Sequence, residues 1–166
     1  ESYSVYTIKN FKENYTMILP NFNDFPRTGR IIGIDWGARR TGVAISDETR
    51  EFVFVRPPIM VVRGGASVAR QIADFAVTEK AVGIVIGLPR YMDGSESDTT
   101  NAVRACAVEI ATYTDLPIVF IDENLTSRAA QDEMGRVRVA DIKRDLDSAA
   151  ARVILENAIA MINRLK

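Results

Sequence analysis

Four acidic side chains stand where a carboxylate could do chemistry. Asp35 ends the apolar run Ile31-Ile32-Gly33-Ile34 and is followed by Trp36-Gly37. Asp122 and Glu123 end a second run, Pro117-Ile118-Val119-Phe120-Ile121. Asp147 stands at the head of a long series of apolar residues that includes Leu146, Ala149, Ala150, Val153 and Ile154. An ionised carboxylate at the end of a buried strand costs several kcal/mol unless a cation or hydrogen-bond donors compensate it. Asp35 therefore reads as a metal-linked carboxylate in a phosphate-handling site. Three carboxylates from distant segments, meeting at the edge where α/β sheets place ligands, would form an oxygen-donor site for a hard divalent cation, Mg2+ or Mn2+. Two such ions would activate a water and stabilise the leaving oxygen of a phosphodiester. Successive strand residues face opposite sides, so only one of Asp122 and Glu123 can share the side of Asp35. Asp147 reads as opening the final helix, where the helix dipole favours its charged form by about 0.3–1 kcal/mol. Each has a plain alternative: a first-turn helix residue for Asp147, a polar strand exit for Asp122 or Glu123. The combination is stronger than any member.

Composition narrows the chemistry further. The 166 residues contain no histidine, which removes Ser/His/Asp and Cys/His catalysis and the usual zinc ligand sets. A single cysteine, Cys106, excludes an intramolecular disulfide and reads as a buried helix residue. The net charge of −1 argues against a broadly basic nucleic-acid coat but allows a local basic groove. No apolar run approaches the roughly 20 residues of a membrane span, and no secretory signal is visible. A cytoplasmic protein without a membrane partner is the expectation.

The elements that must position these residues follow from periodicity. Residues 30–36 and 41–46 read as a hairpin, and 52–55 with 59–62 as a third strand broken or bent at Pro57-Pro58. Residues 66–79 carry helical spacing. The run 82–87 suits a buried parallel strand. A helix follows from about Ser97 to Tyr113, then a strand over 117–121, a helix over 125–134 and the long amphipathic helix after Leu146. This order predicts an α/β domain with a mixed five-stranded sheet and helices on both faces. The chain divides near residue 29, into an N-terminal extension (1–28) and the domain proper (29–166). The extension holds six of the twelve Phe and Tyr residues without a clear period. It is expected to stand apart from the core of the domain proper, its aromatic residues buried either on that core or on a neighbouring copy, the copy being slightly favoured as an arm exchanged within a homodimer.

Several cations are placed to meet a nucleic-acid backbone. Arg39 and Arg40 lie in the turn beside Asp35, while Arg63, Arg90, Arg136, Arg138, Lys143 and Arg144 fall in predicted loops or at helix ends. On one face they would hold phosphates without reading sequence. The loop carrying Arg136, Arg138, Lys143 and Arg144, just before the Asp147 helix, is the best basic patch. Thr126 and Ser127 read as caps of the helix that starts there rather than as nucleophiles.

Gly33-Ile34-Asp35-Trp36-Gly37, Thr41-Gly42-Val43-Ala44, Gly87-Leu88-Pro89, Met92-Asp93-Gly94-Ser95, Asp122-Glu123-Asn124-Leu125-Thr126-Ser127 and Asp147-Ser148-Ala149-Ala150 occur in this order. Together they resemble the signature of the YqgF/RuvX family, known as Holliday-junction resolvases and pre-16S rRNA nucleases. The resemblance covers residues 30–162. It implies an RNase H-like fold and a metal-dependent endonuclease acting on pre-rRNA or branched DNA, with Asp35, Glu123 and Asp147 as the acidic triad. It also implies a groove rim formed by Gly87-Leu88-Pro89 and the Met92–Ser95 loop, with Asn124 and Thr126 on the substrate side. Two departures stand out. The family usually has arginine after the Asp-Glu pair, where this chain has Asn124. The strand ending in Gly87-Leu88-Pro89 carries no carboxylate, unlike the wider RNase H-like group.

Two other function classes share parts of this pattern. The Asp-x-Gly turn also serves ATP-handling proteins of the actin and hexokinase type, but those need two such domains and this chain has length for one. A non-catalytic RNA-binding ribosome-assembly factor would keep the fold and tolerate Asn124 and the shortened carboxylate set.

Overall fold

The computed structural model describes the backbone of residues 8–9, 15–124 and 139–165, and the side chains of 17–123 and 148–165. Eight strands and three helices are assigned there: β1 (Ile8–Lys9), β2 (Tyr15–Thr16), β3 (Ile18–Leu19), β4 (Ile31–Asp35), β5 (Arg40–Ser46), β6 (Val53–Met60), α1 (Val68–Thr78), β7 (Gly83–Arg90), α2 (Asp98–Tyr113), β8 (Ile118–Asn124) and α3 (Val139–Asn163). The expected helix over 125–134 lies outside the described residues. β1 and β2 form a separate two-stranded ribbon, and the main sheet has six strands in the order β3-β8-β7-β4-β5-β6. β4, β7 and β8 run parallel, while β5 and β6 return antiparallel from β4. The five expected strands are thus all present, in the RNase H-like order. β3 is the sixth, too short at two residues to show alternation.

The two sheet faces are covered by different helices, and strand parity decides which residues go where. Ile32, Ile34, Ile84, Ile86, Leu88 and Ile118 form one core layer with α1 and α2. Ile31, Ala44, Val85 and Val119 form the other with Ala151, Ile154, Leu155, Ala158 and Ile162 of α3. Gly33 lets α3 lie close on β4, since a Cβ there would stand 2.8 Å from the Ala151 carbonyl oxygen and from Leu155 Cβ.

The Pro57-Pro58 pair bends β6 without breaking it. Thr41 pairs with Ile59 and Val43 with Arg56, so the two prolines oppose Gly42 alone as a bulge. β6 is an edge strand, where prolines lose no ladder partner and discourage pairing with other chains.

The N-terminal segment departs from its expectation. Leu19, Phe22 and Phe25 are buried in this chain's own second core layer. Phe22 and Phe25 meet edge-to-face at 5.3 Å, and the missing side chain of Gly83 opens the slot that the Phe25 ring fills. Arg27 donates to the carbonyls of Ile162 and Leu165. It supplies the cation that the last turn of α3 lacks. Tyr3, Tyr6 and Phe11 lie outside the described residues.

Candidate active site

Parity settles which acidic residue of the Asp122–Glu123 pair shares the side of Asp35. Asp35 follows Ile31 and Gly33 by even steps, and Glu123 follows Val119 and Ile121, so both belong to the α3 face. Asp122 belongs to the opposite face, where its Oδ1 lies 3.4 Å from Arg90 Nε. β7 runs between β4 and β8. Ile86 pairs with Ile34, so Gly87 comes abreast of Asp35. The backbones of β4 and β8 are about 10 Å apart across this gap, two strand spacings. Glu123 closes part of it: its Oε2 stands 3.0 Å from where a Cβ on Gly87 would sit. Gly87 lies between the two carboxylate-bearing strand ends, and the space left by its missing side chain is shared by Glu123 and Ile154.

Burial differs from the sequence reading. Asp35, expected to be the buried carboxylate, is half-buried, whereas Glu123 is only 8% exposed. The strand end at Asp35 opens into the turn toward Arg40, which leaves one side of it to solvent. Gly37 is required in that turn because a Cβ would collide with the Arg40 carbonyl. Arg39 and Arg40 are both exposed beside it.

Asp147 does not open a helix. α3 begins at Val139, so Asp147 lies more than two turns inside it and has no claim on the N-terminal dipole. Position 147 is one turn before Ala151 and two before Leu155, the residues that meet Gly33. It therefore occupies the helix stripe that covers the β4 face carrying Asp35. Lys143 and Arg144 are also helical rather than in a preceding loop, because the helix takes up polar residues ahead of the apolar repeat that marked it. Arg136, Arg138 and Thr126 lie outside the described residues, and Asn124 is placed as the last residue of β8, paired with Arg90. Among the described side chains no three acidic, histidine or cysteine residues cluster.

The rim is built by β7 and the segment after it. Arg90 lies between Asp122 and Glu96, 3.8 Å from Glu96 Oε2. Arg104 clamps Glu96 with two bonds of 3.0 and 2.7 Å and stacks over Phe120 at 5.5 Å. These bonds hold the Glu96 carboxyl below its usual range. Thr100 ties α2 to the strand end by donating to the Pro89 carbonyl and accepting from the Ser97 amide. Gly87, expected at the groove rim with Leu88 and Pro89, stands between the Asp35 and Glu123 strands, a place that strand parity would have found. Cys106 packs against the first core layer, and burial pushes its thiol up to about 11, an inert thiol as expected.

A family model described as "RuvX: Holliday junction resolvase" matches residues 29–161. The chain belongs to the RuvX family. A protein of Maridesulfovibrio salexigens is 39% identical over 135 residues, 79% of this chain and 98% of that one; its name is "Putative pre-16S rRNA nuclease". A Rickettsia canadensis protein of the same name is 35% identical over 159 residues, 95% of this chain and 98% of that one. Among solved structures, Thermus thermophilus RuvC in complex with a Holliday junction substrate aligns over 81% of this chain and 96% of that chain, with TM-score 0.47 and 11% identity. Within the RuvX family match fall Asp35, Gly87, Glu123 and Asp147. No described helix is long and apolar enough to cross a membrane.

Proposed function

We propose that this chain is a metal-dependent endonuclease of structured nucleic acid, cutting the 5′ side of precursor 16S rRNA, with branched DNA as the second substrate class. The observation that carries this reading is the Glu123 carboxylate lying against Gly87, which stands abreast of Asp35 on the neighbouring strand. Family membership and the names of the relatives support it. Asp35, Glu123 and Asp147 would hold Mg2+ or Mn2+. The donor set fits a hard cation, since carboxylate oxygens are its preferred ligands and no histidine competes for softer metals. Bound there, such an ion supplies an activated water and charge neutralisation at the leaving oxygen.

The chain's own residues do the rest. Glu123, buried at the strand end, holds its carboxylate beside Gly87, with Ile154 packed next to it. Arg39, Arg40 and Arg90 approach the site from two sides and orient the phosphate backbone. Asn124, Thr126, Arg136, Arg138, Lys143 and Arg144 extend that contact along the groove. Every residue assigned to the site lies within 29–166, in keeping with the family match over 29–161, while residues 17–28 complete the fold that carries it. The site of action is the cytoplasm.

The test is Asp35→Asn, which keeps shape and removes charge. Cleavage of a precursor 16S leader RNA and of a four-way DNA junction in Mg2+ or Mn2+ should be abolished, with the thermal midpoint unchanged or raised. Asp93→Asn is the control: Asp93 accepts from the Ser95 amide at 2.8 Å in the rim turn, and Asn keeps that acceptor. Full activity in Asp35→Asn would remove the assignment, and binding without cleavage by the wild type would leave a non-catalytic assembly factor.

A further inference from the structure

Resting on the nuclease reading, we propose that Tyr91 and Met92 form a stacking platform for one unpaired base beside the cleaved phosphate. The enzyme would thereby select single-stranded or splayed nucleotides over continuous duplex. A cavity of about 200 Å³ lies at the end of β7, lined by Arg90, Tyr91, Met92, Gly94, Asp122 and Glu123. It shares Glu123 with the acidic site. Its size is below the roughly 300–1,000 Å³ of sites for larger ligands, so it suits one ring system and not a base pair.

Tyr91 and Met92 give one side of it an apolar wall, beside the charged Arg90, Asp122 and Glu123. Tyr91 is 51% and Met92 82% exposed. The loop holding them is braced by its own backbone. Gly94 donates to the Tyr91 carbonyl at 2.8 Å, Tyr91 to the Ser95 carbonyl at 3.1 Å, and Ser95 to Asp93 Oδ1 at 2.8 Å. Gly94 takes the positive φ of 83° that closes the turn. A platform held in place before binding loses little freedom on binding. Every base has a π-face that an aromatic ring can accept, but in a duplex both faces are covered. Charge favours a base here too. Asp122, its side chain 71% exposed, and Glu123 repel a bare phosphate inside the cavity and accept from base or sugar donors. Arg90 at the rim takes the phosphate.

The experiment uses the full chain, in Ca2+, with a short RNA carrying 2-aminopurine at a single position stepped along the strand, alone or annealed to its complement. Wild type, Tyr91→Phe and Tyr91→Trp should quench the fluorescence at one position of the single strand. Tyr91→Ala should lose the quench and bind the single strand about 5- to 100-fold more weakly, with the duplex affected far less. Tyr91 is exposed, so the variant keeps its fold, checked by circular dichroism. Wild-type affinity in Tyr91→Ala, an equal loss on duplex, or a wild type that quenches at no position would overturn the proposal. A change confined to self-association would overturn it too, marking a protein contact. Quenching by a chain that never cuts RNA leaves the platform standing and removes only the nuclease reading.

Discussion

Gly87 acts through the side chain it lacks. A Cβ there would stand 3.0 Å from Glu123 Oε2 and closer to Ile154 Cδ1. Both are the far ends of side chains, so Gly87→Ala is accommodated by moving them rather than the backbone. The overpacking against Ile154 should cost about 1–3 kcal/mol of stability. The displaced carboxylate matters more: a shift of about 1 Å at a reacting centre can lower the rate on the order of 100-fold. Gly87→Ala should therefore remain folded by circular dichroism while its cleavage rate falls by about that factor. Wild-type cleavage would show that Glu123 need not lie over Gly87. The choice of Glu123 over Asp122 was legible once strand parity was anchored by the core. The sequence showed only that one of the two could face Asp35, because the phase of a short apolar run against its helices is a tertiary fact. The half-burial of Asp35 was not legible, since it depends on how the turn through Gly37 opens.

At the level of elements, the site is an assembly of strand ends and one helix stripe, and the joint between β7 and α2 is its most specific device. Ser97 and Thr100 form a reciprocal capping box. Thr100, fully buried, also donates to the Pro89 carbonyl. One hydroxyl thus fixes the start of α2 against the end of β7 and sets the length of the rim loop between them. Thr100→Val keeps the volume and removes that donor and acceptor. It should lower stability by about 1–3 kcal/mol, measured by urea denaturation, and faster amide exchange should appear over 91–97. An unchanged exchange pattern would mean that the loop is braced by its own turn alone. The helix 98–113 and its Ser97 cap were readable from the sequence, because a cap and a helical period agree there. The start of α3 was not: its first residues, Val139 to Asp145, carry little apolar repeat, so the pattern began only near Leu146 and misplaced Asp147 at a helix end.

At the scale of the whole molecule, residues 17–28 behave as a strap across the sheet rather than as an arm offered to another copy. Ile18–Leu19 adds a parallel strand to β8, Phe22 and Phe25 enter the second core layer, and Arg27 closes the end of α3. None of this shows in the sequence as a period, because no element in the segment is longer than two residues; its aromatic content was the only signal, and it did not say where the rings go. Three buried apolar side chains are worth about 1.5–3 kcal/mol each, a sum that approaches the 5–15 kcal/mol stability of a typical domain. Two truncations separate the strap from what precedes it. Removing residues 1–16 should leave a folded, cooperative chain that keeps its cleavage activity. Removing 1–28 should lower the thermal midpoint by more than 10 °C or unfold the chain, because Gly83 is then left beside an empty slot and the edge of β8 is bare. Gel filtration of the longer deletion checks association: a chain that stays folded without 1–28 and changes only its oligomeric state would restore the exchanged arm and make residues 29–166 self-sufficient.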